Sequence, residues 1–292
     1  MMRRQVTPYL LAGFALLLIA SGFGFISSHR YHKEIKRSGE RELKATLSAG
    51  FGKVSVARGH SATILEADFD TDKERDLDQL IDYSVRENVG YLSLTTEDEF
   101  VENKKSFHIS GFESTTWNLL FSDAVPISFD VQLGLGKGEF DLSGLAVKDF
   151  NLSAGASSVV VRFDRPNTAV LDDLTIEAGL SKFRGIGLGN ANFNHLKFEG
   201  GVGTYSLDFG GELKREVDVD IEVGLGSLTI IIPEHIGAKV SFEQSLIAYL
   251  SIDNDFTEQK KNTYLSSNYY SSTGKMNIHI DAGLGSVKIK RE

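Results

Sequence analysis

The chain has 292 residues, a formal net charge of −9 and no cysteine. The absence of cysteine excludes disulfides, thiol nucleophiles and cysteine-based metal sites. The acidic balance argues against nucleic acid as a partner, because a phosphate backbone binds basic surfaces. Glycine is abundant, with 29 glycines against 4 prolines, so the positions of the glycines are the first place to look for order.

The N-terminal region predicts attachment to a membrane. Residues 1–8 form a short basic segment. Residues 9–27 form a transmembrane helix or signal anchor, because Tyr9 to Ile26 is almost wholly apolar and long enough to cross a bilayer. No small-residue cleavage motif follows, which favours an uncleaved anchor. Residues 28–42 are charged and are predicted to be a linker, solvated or resting on anionic headgroups.

The orientation of this anchor has arguments on both sides. More lysines and arginines follow the apolar run than precede it, which favours a cytoplasmic C-terminal domain. The short basic N-terminus and the lack of cysteine favour the opposite orientation. We expect a single-pass protein of the cell membrane whose C-terminal domain lies outside the cytoplasm.

A repeat begins after the linker. It is a Gly-x-Gly or Gly-x-Ser triplet, whose first residues are Gly50, Gly134, Gly155, Gly179, Gly201, Gly224 and Gly283. The residues one, three and five before each triplet are apolar or small, and apolar residues stand two and four after most triplets. Such alternation predicts a strand with one buried face on each side of a glycine bend.

The middle residue of each triplet is predicted to be an inward apolar plug. These residues are Phe51, Leu135, Ala156, Leu180, Val202, Leu225 and Leu284. Because one repeat of about 22 residues cannot bury a core alone, the repeats must stack on one another. Residues 43–292 are therefore predicted to be one all-β domain, a β-solenoid-like stack of short strands with Gly-x-Gly turns.

Two stretches of this domain are less regular. The first, between residues 59 and 126, predicts further strands at Ile64–Phe69, Gln79–Val85, Tyr91–Thr95 and Ser106–Ser110. A charged loop is predicted at Asp70–Asp78. The second stretch, Ser241 to Lys275, is predicted to be an irregular insert.

Acidic residues are the main candidates for a surface function. The outward positions before the triplets hold Asp130, Glu177, Glu199, Asp220, Glu222 and Asp281. Stacked carboxylates can bind calcium, but they also keep a sheet face soluble and discourage edge pairing, and the second role needs no ligand. The histidines lack metal-ligand spacing. We therefore assign no catalytic, cofactor-binding or metal-binding residue, and we expect no cofactor and no enzymatic activity.

Aromatic residues offer a further surface for sugars or for a protein partner. The candidates are Trp117, Tyr264, Tyr269 and Tyr270. Parallel β-helices include enzymes that cleave polysaccharides with paired carboxylates, although no spacing in this chain singles out a pair. A glycan-binding or glycan-cleaving envelope protein is therefore the alternative function.

Five segments resemble the bacterial toastrack domain family, which includes LiaF-like and adhesin-like proteins of unknown function. They are LSAGFGKVSV (47–56), NLSAGASSVVVRFDRPN (151–167), FEGGVGTYSLDFGGEL (198–213), VGLGSLTIIIPEHIGAKV (223–240) and AGLGSVKIKR (282–291). The resemblance implies a twisted β-stack without catalytic residues, tethered to a membrane, that serves as a scaffold, an adhesion module or an envelope-stress sensor. Its partners would be the membrane and another envelope or membrane protein. LiaF-like proteins carry several membrane helices and this chain predicts one, so their signalling role does not transfer directly.

Overall fold

The structure, a computed structural model, describes residues 29–71, 80–96 and 115–292. Four sequence predictions lie outside these residues: the basic segment at 1–8, the transmembrane helix at 9–27, the strand at 106–110 and most of the charged loop at 70–78. The described residues form fifteen strands and one short 3-10 helix, Leu188–Ala191, which confirms the all-β prediction.

The strands are numbered in chain order. They are β1 (His29–Lys36), β2 (Glu42–Arg58), β3 (Thr63–Thr71), β4 (Ile81–Arg86), β5 (Val89–Thr95), β6 (Thr115–Phe121), β7 (Pro126–Asp141), β8 (Ala146–Arg162), β9 (Leu171–Ile186), β10 (Phe193–Asp208), β11 (Glu216–Ile232), β12 (Gly237–Ile252), β13 (Phe256–Lys260), β14 (Thr263–Ser266) and β15 (Lys275–Arg291).

One sheet contains all of these strands, and its centre is a row of eight long parallel strands, which we call rungs. Along the sheet the order is β1, β3, β6, β2, β7, β8, β9, β10, β11, β15, β12, β14 and β13. The rungs are β2, β7 to β12 and β15, each of 16 or 17 residues. β4 and β5 form a hairpin against the start of β2. Residues at the same repeat position therefore lie side by side along the row.

Seven of the eight rungs bend at their triplet and continue as one strand. The sequence predicts two short strands joined by a corner, whereas the structure has one long strand with a first arm before the triplet and a second arm after it. In β10, Phe198 and Gly200 are buried on the first arm, and Tyr205 and Leu207 are buried on the second. The ring centroids of Phe198 and Tyr205 are 5.2 Å apart. The two arms therefore enclose a common core.

Close packing of neighbouring backbones explains the last glycine of the triplet. Gly52, Gly136, Gly226 and Gly285 have φ between +130° and +142°, a conformation that residues with a side chain rarely adopt. A Cβ added at Gly226 would also lie 1.9 Å from the carbonyl oxygen of Gly203 on the adjacent rung. Conformation and contact with the next rung therefore both require glycine at this point of the bend.

The predicted inward plug is wrong, because the middle residues of the triplets point outward. Buried positions lie one residue before the triplet and two residues after it, so the inward–outward alternation shifts by one residue at the bend. The middle residue consequently lies on the outside of the corner. We call the resulting line of side chains the bend ridge; in sheet order it consists of Phe51, Leu135, Ala156, Leu180, Val202, Leu225, Leu284 and Ile247.

Strand β1 replaces part of the predicted linker at 28–42. It pairs antiparallel with β3, from His29 opposite Thr71 to Lys36 opposite Thr63. Tyr31 and Ile35 pack against the core, and the alternate residues are exposed. The sequence does not predict β1 as a strand, because β1 is the outermost strand of the sheet. Two apolar residues are enough to cover its single inner face.

The predicted irregular insert at 241–275 overlaps a complete rung. β12 pairs in parallel with β15 along both arms, and β13 and β14 form a hairpin whose second strand pairs antiparallel with the start of β12. The repeat does not predict β12, because its bend lacks the glycine triplet. The pairing of β12 with β15 also shifts register between Gln244 and Ile247.

Candidate functional site

A row of acidic side chains crosses the outer face of the first arms. The register aligns Glu177 on β9, Glu199 on β10, Glu222 on β11, Asp281 on β15 and Glu243 on β12. Adjacent strands are about 4.8 Å apart, so neighbouring carboxylates of this carboxylate row repel one another. The sequence predicts the first four as outward acidic residues. The sequence does not predict Glu243, because it does not predict the strand β12 on which Glu243 lies.

Some members of the carboxylate row have local partners. Ser153 Oγ donates a hydrogen bond to Glu177 Oε2 at 3.1 Å. The Lys197 ammonium lies 2.5 Å from Glu199 Oε1, and this hydrogen bond raises the pKa of the lysine. Lys197 therefore offsets the charge of Glu199, one of the five carboxylates in the row.

A shallow groove of about 280 Å³ lies on the same face, farther from the bend. We call it the His195 groove; its lining includes His195, Asp218, Asp220 and Lys239. His195 Nε2 lies 2.8 Å from Asp220 Oδ2, and His195 Nδ1 lies 3.6 Å from an oxygen of Asp173. The sequence predicts Asp220 as an outward residue, but its contact with His195 runs diagonally between β10 and β11, because the in-register neighbour of His195 is Asp218.

Two tyrosines flank the groove. The rings of Tyr269 and Tyr270 meet edge to face with centroids 5.4 Å apart, and Tyr270 is 84% exposed. The Tyr269 hydroxyl donates a hydrogen bond to Asn277 Oδ1 at 3.0 Å, and Asn277 Nδ2 donates to carboxylate oxygens of Glu216 and Asp218. Aromatic faces and hydrogen-bonding groups therefore occur together at this end of the acidic face.

The other two aromatic candidates are not surface groups. Trp117 is 1% exposed and packs edge-on against Phe69 with ring centroids 5.8 Å apart. Tyr264 is half-buried and packs against the core. The suggestion that Trp117 belongs to a binding surface is therefore wrong, because β6 turns that residue inward between β3 and β2.

The remaining acidic candidate lies apart. Asp130 is on β7, where its in-register neighbours are Thr46 and Asn151. Among residues 29–71, 80–96 and 115–292, no three histidine, aspartate or glutamate side chains are grouped so that they could hold a metal ion. The five carboxylates of the row lie on five successive rungs and do not converge on one point, as calcium ligands must.

Comparison with solved structures finds similar chains in bacterial proteins. A candidate cell adhesion protein from Clostridium sporogenes is 21% identical over 91% of this chain and 100% of its own, with a TM-score of 0.44. A candidate adhesin from Bacteroides fragilis is 14% identical over 91% of this chain and 99% of its own, with a TM-score of 0.35. None of the curated proteins matches the chain. Within the part of the chain that the structure describes, no helix is long and apolar enough to span a bilayer.

One family model matches most of the chain. It is described as the N-terminal domain of toast_rack, DUF2154, and it matches residues 26–182 and again residues 165–231. The two matches together cover residues 26–231 and overlap at residues 165–182, from the loop after β8 into β9. The chain belongs to the toast_rack family.

Proposed function

We propose that this protein is a membrane-anchored, non-enzymatic binding module of the bacterial cell envelope, which holds a rigid acidic face toward a basic partner. The observation that carries the proposal is the alignment of five carboxylates on five consecutive rungs. Repelling charges are costly in a sheet, and a partner with matching cations would relieve that repulsion. The apolar run at residues 9–26 supports the anchor, and the repeat architecture supports a scaffold.

The partner we propose is another envelope or membrane protein that presents lysines or arginines. Parallel strands space the carboxylates at about 4.8 Å, which suits a basic strand or loop lying across the rungs. The exported orientation would place this face outside the cytoplasm. Contact between the acidic face and a basic partner there would serve a scaffold, an adhesion module or an envelope-stress sensor alike.

A direct test is crosslinking and pull-down from membranes with the full-length chain. The variant Glu199→Gln with Glu222→Gln removes two charges from the centre of the carboxylate row. The control Glu139→Gln removes a charge from a second arm, where Glu139 pairs with Lys53 at 2.8 Å. A specific partner should be recovered by the wild type and the control and lost with the double variant. Equal recovery by all three would refute the proposed face.

The topology has its own test. Alkaline phosphatase fused after Glu292 is active only outside the cytoplasm, so activity of the fusion supports the exported placement. A fusion that is produced but inactive contradicts the exported placement.

Glycan binding is a second candidate, because Tyr269 and Tyr270 lie beside the His195 groove. Tyrosine rings stack on sugar faces, and the nearby carboxylates can accept hydrogen bonds from hydroxyl groups. Binding of envelope polysaccharide by the full chain should weaken in Tyr270→Ala and persist in Tyr249→Ala, an exposed tyrosine on a second arm. Release of new reducing ends would show that the protein cleaves the polysaccharide. Failure to bind any such polysaccharide refutes this second candidate.

A further inference from the structure

The bend ridge is an exposed line of apolar side chains. Six of its members range from 37% exposed at Leu135 to 77% exposed at Ile247, with Leu180, Val202, Leu225 and Leu284 in between. Phe51, at the end of the ridge nearest to β1, is half-buried. Eight rungs at about 4.8 Å each give the ridge a length of roughly 34 Å. Scattered apolar residues are normal on a surface, but a continuous line of this length indicates a contact with something apolar.

The chain enters the domain at this same edge. His29, the first residue of β1, lies opposite Thr71 of β3, which lies opposite Thr115 of β6. Thr115 in turn lies opposite Gly52, the last residue of the first triplet. His29 therefore lies at the level of the bends and not at the far ends of the arms. The apolar run that the sequence predicts as the anchor ends at Ile26, three residues before β1 begins.

The charges that flank the ridge differ between the two arms. Lys53, Lys137 and Lys182 share one outward position immediately after the bend, on the rungs nearest to β1. The carboxylate row lies two residues before the bend and begins on β9, which carries both Glu177 and Lys182. On β2 and β7 the row's position holds the uncharged Ser48 and Gln132. Anionic headgroups would therefore favour the end of the ridge near the chain entry.

We propose that the bend ridge docks on the surface of the lipid bilayer, with its apolar side chains in the interfacial region. This inference rests on the proposed membrane anchor, because an anchor ending at Ile26 would hold the bend edge against the bilayer at high effective concentration. A second copy of the chain is the competing occupant. Ridge-to-ridge pairing would bring together two carboxylate rows on chains that each carry a net charge of −9.

Docking of this kind would also orient the domain. The two arms would rise from the membrane with their outer faces perpendicular to it, and the loops that join successive rungs would point away from the bilayer. The carboxylate row and the His195 groove would then both remain open to a partner.

Because the chain has no cysteine, single cysteines introduce unique labelling sites. Val202→Cys places an environment-sensitive fluorophore on the ridge. Val170→Cys is the matched control, since Val170 has the same side chain and similar exposure (47% against 44%) but lies in the loop between β8 and β9 at the opposite edge. Both full-length variants are reconstituted into vesicles of phosphatidylcholine with a minority of phosphatidylglycerol, and flotation measures membrane association.

Docking predicts that the label at position 202 is quenched by lipid-borne quenchers, whereas the label at position 170 is quenched by aqueous iodide. Adding Leu180→Ser, Leu225→Ser and Leu284→Ser to Val202→Cys removes three half-exposed leucines, each worth about fivefold in partitioning. The ratio of docked to undocked protein should then fall about 100-fold. The emission of the buried Trp117 shows whether this variant still folds.

The outcomes separate the docking from the anchor. If the full-length single-cysteine proteins do not float with the vesicles, both the anchor and the docking are refuted. Flotation with both labels equally accessible to iodide refutes docking alone. Protection of the label at position 202 that grows with protein density, without quenching from the lipid, assigns the ridge to a second copy and also overturns the proposal.

Discussion

Replacing Gly226 by alanine tests whether contact between rungs, and not conformation alone, explains the glycine triplet. Gly226 lies at the bend of β11 with φ +142°, and a Cβ there would lie 1.9 Å from the carbonyl oxygen of Gly203. Gly39 provides the control, because it has φ +114° but no heavy atom within 4 Å of an added Cβ. Both variants suffer backbone strain, and Gly226→Ala alone suffers the clash.

The magnitude follows from the two contributions. Backbone strain at a positive φ costs about 1–3 kcal/mol, and this is the whole expected cost of Gly39→Ala. Real Cβ atoms keep at least 3.0 Å from a neighbour, so the carbonyl of Gly203 must move by about 1.1 Å, the difference between 3.0 and 1.9 Å. Such a shift distorts two or three ladder hydrogen bonds worth about 1 kcal/mol each. Gly226→Ala should therefore cost about 3–6 kcal/mol in unfolding free energy, which is about 2–3 kcal/mol more than Gly39→Ala.

Urea unfolding of the full-length chain measures both costs. Far-UV circular dichroism follows the whole sheet. Trp117, the only tryptophan in the chain, reports on the end near β2. A repeat protein can lose rungs separately, so the two probes should disagree in Gly226→Ala, with the circular dichroism change at lower urea. If Gly226→Ala costs no more than Gly39→Ala, contact between the bends does not explain the glycines.

Three further predictions concern single side chains. Burial of Glu40 raises its pKa, but hydrogen bonds from Tyr83 and from its neighbouring backbone outweigh this, so the net pKa is lowered. The ionised Glu40 carboxylate therefore stabilises the protein at neutral pH, and this stabilisation is lost as the pH falls through the folded-state pKa. Glu40→Gln should lower the free energy of unfolding by about 1–3 kcal/mol at pH 7 and by less in acid, as measured by urea unfolding. Asn167 is buried, accepts a hydrogen bond from the Val147 amide at 3.0 Å and donates one to the Val147 carbonyl at 2.7 Å, so Asn167→Ala should cost about 3 kcal/mol in the same assay. Glu222→Gln relieves repulsion in the carboxylate row and should stabilise the protein by about 0.5 kcal/mol in thermal unfolding at low salt.

Each of these predictions has a result that would contradict it. A cost of Glu40→Gln that stays constant between pH 7 and the acid range means that its ionised form is not the stabilising one. Asn167→Ala with wild-type stability means that water replaces the amide at the loop edge. A stabilisation by Glu222→Gln that persists in 1 M salt is not electrostatic, because the Debye length is then about 3 Å.

The arms of the rungs could be predicted from sequence because each buried position has its own apolar residue. Leu196 and Phe198 before a triplet, and Tyr205 and Leu207 after it, are all buried as the alternation predicts. The carboxylate row follows from the same alternation, since outward positions two residues before a triplet fall on one line once the rungs stack in register.

The bend and the ends of the sheet could not be predicted in this way. Alternation assumes a straight strand, whereas the chain shifts by one residue at the corner, which sends Val202 outward. β12 lacks the triplet that marks the other rungs. The parallel neighbour of β12 is β15, which comes three strands later in the chain, and no local pattern in the sequence encodes that pairing. The contact of His195 with Asp220 could not be predicted either, because it runs diagonally between two rungs whose register places His195 opposite Asp218.

The position of β15 has a consequence for how the chain is made. β15 lies between β11 and β12, so the C-terminal residues form an interior rung and not the last one. Synthesis or export proceeds from the N-terminus, and rungs β7 to β11 can stack in that order as they emerge. β12 has no parallel neighbour until the final strand arrives and slots between it and β11. A chain that lacks β15 would leave β12 to β14 without a pairing to the rest of the sheet, and it would expose the parallel edge of β11 to aggregation.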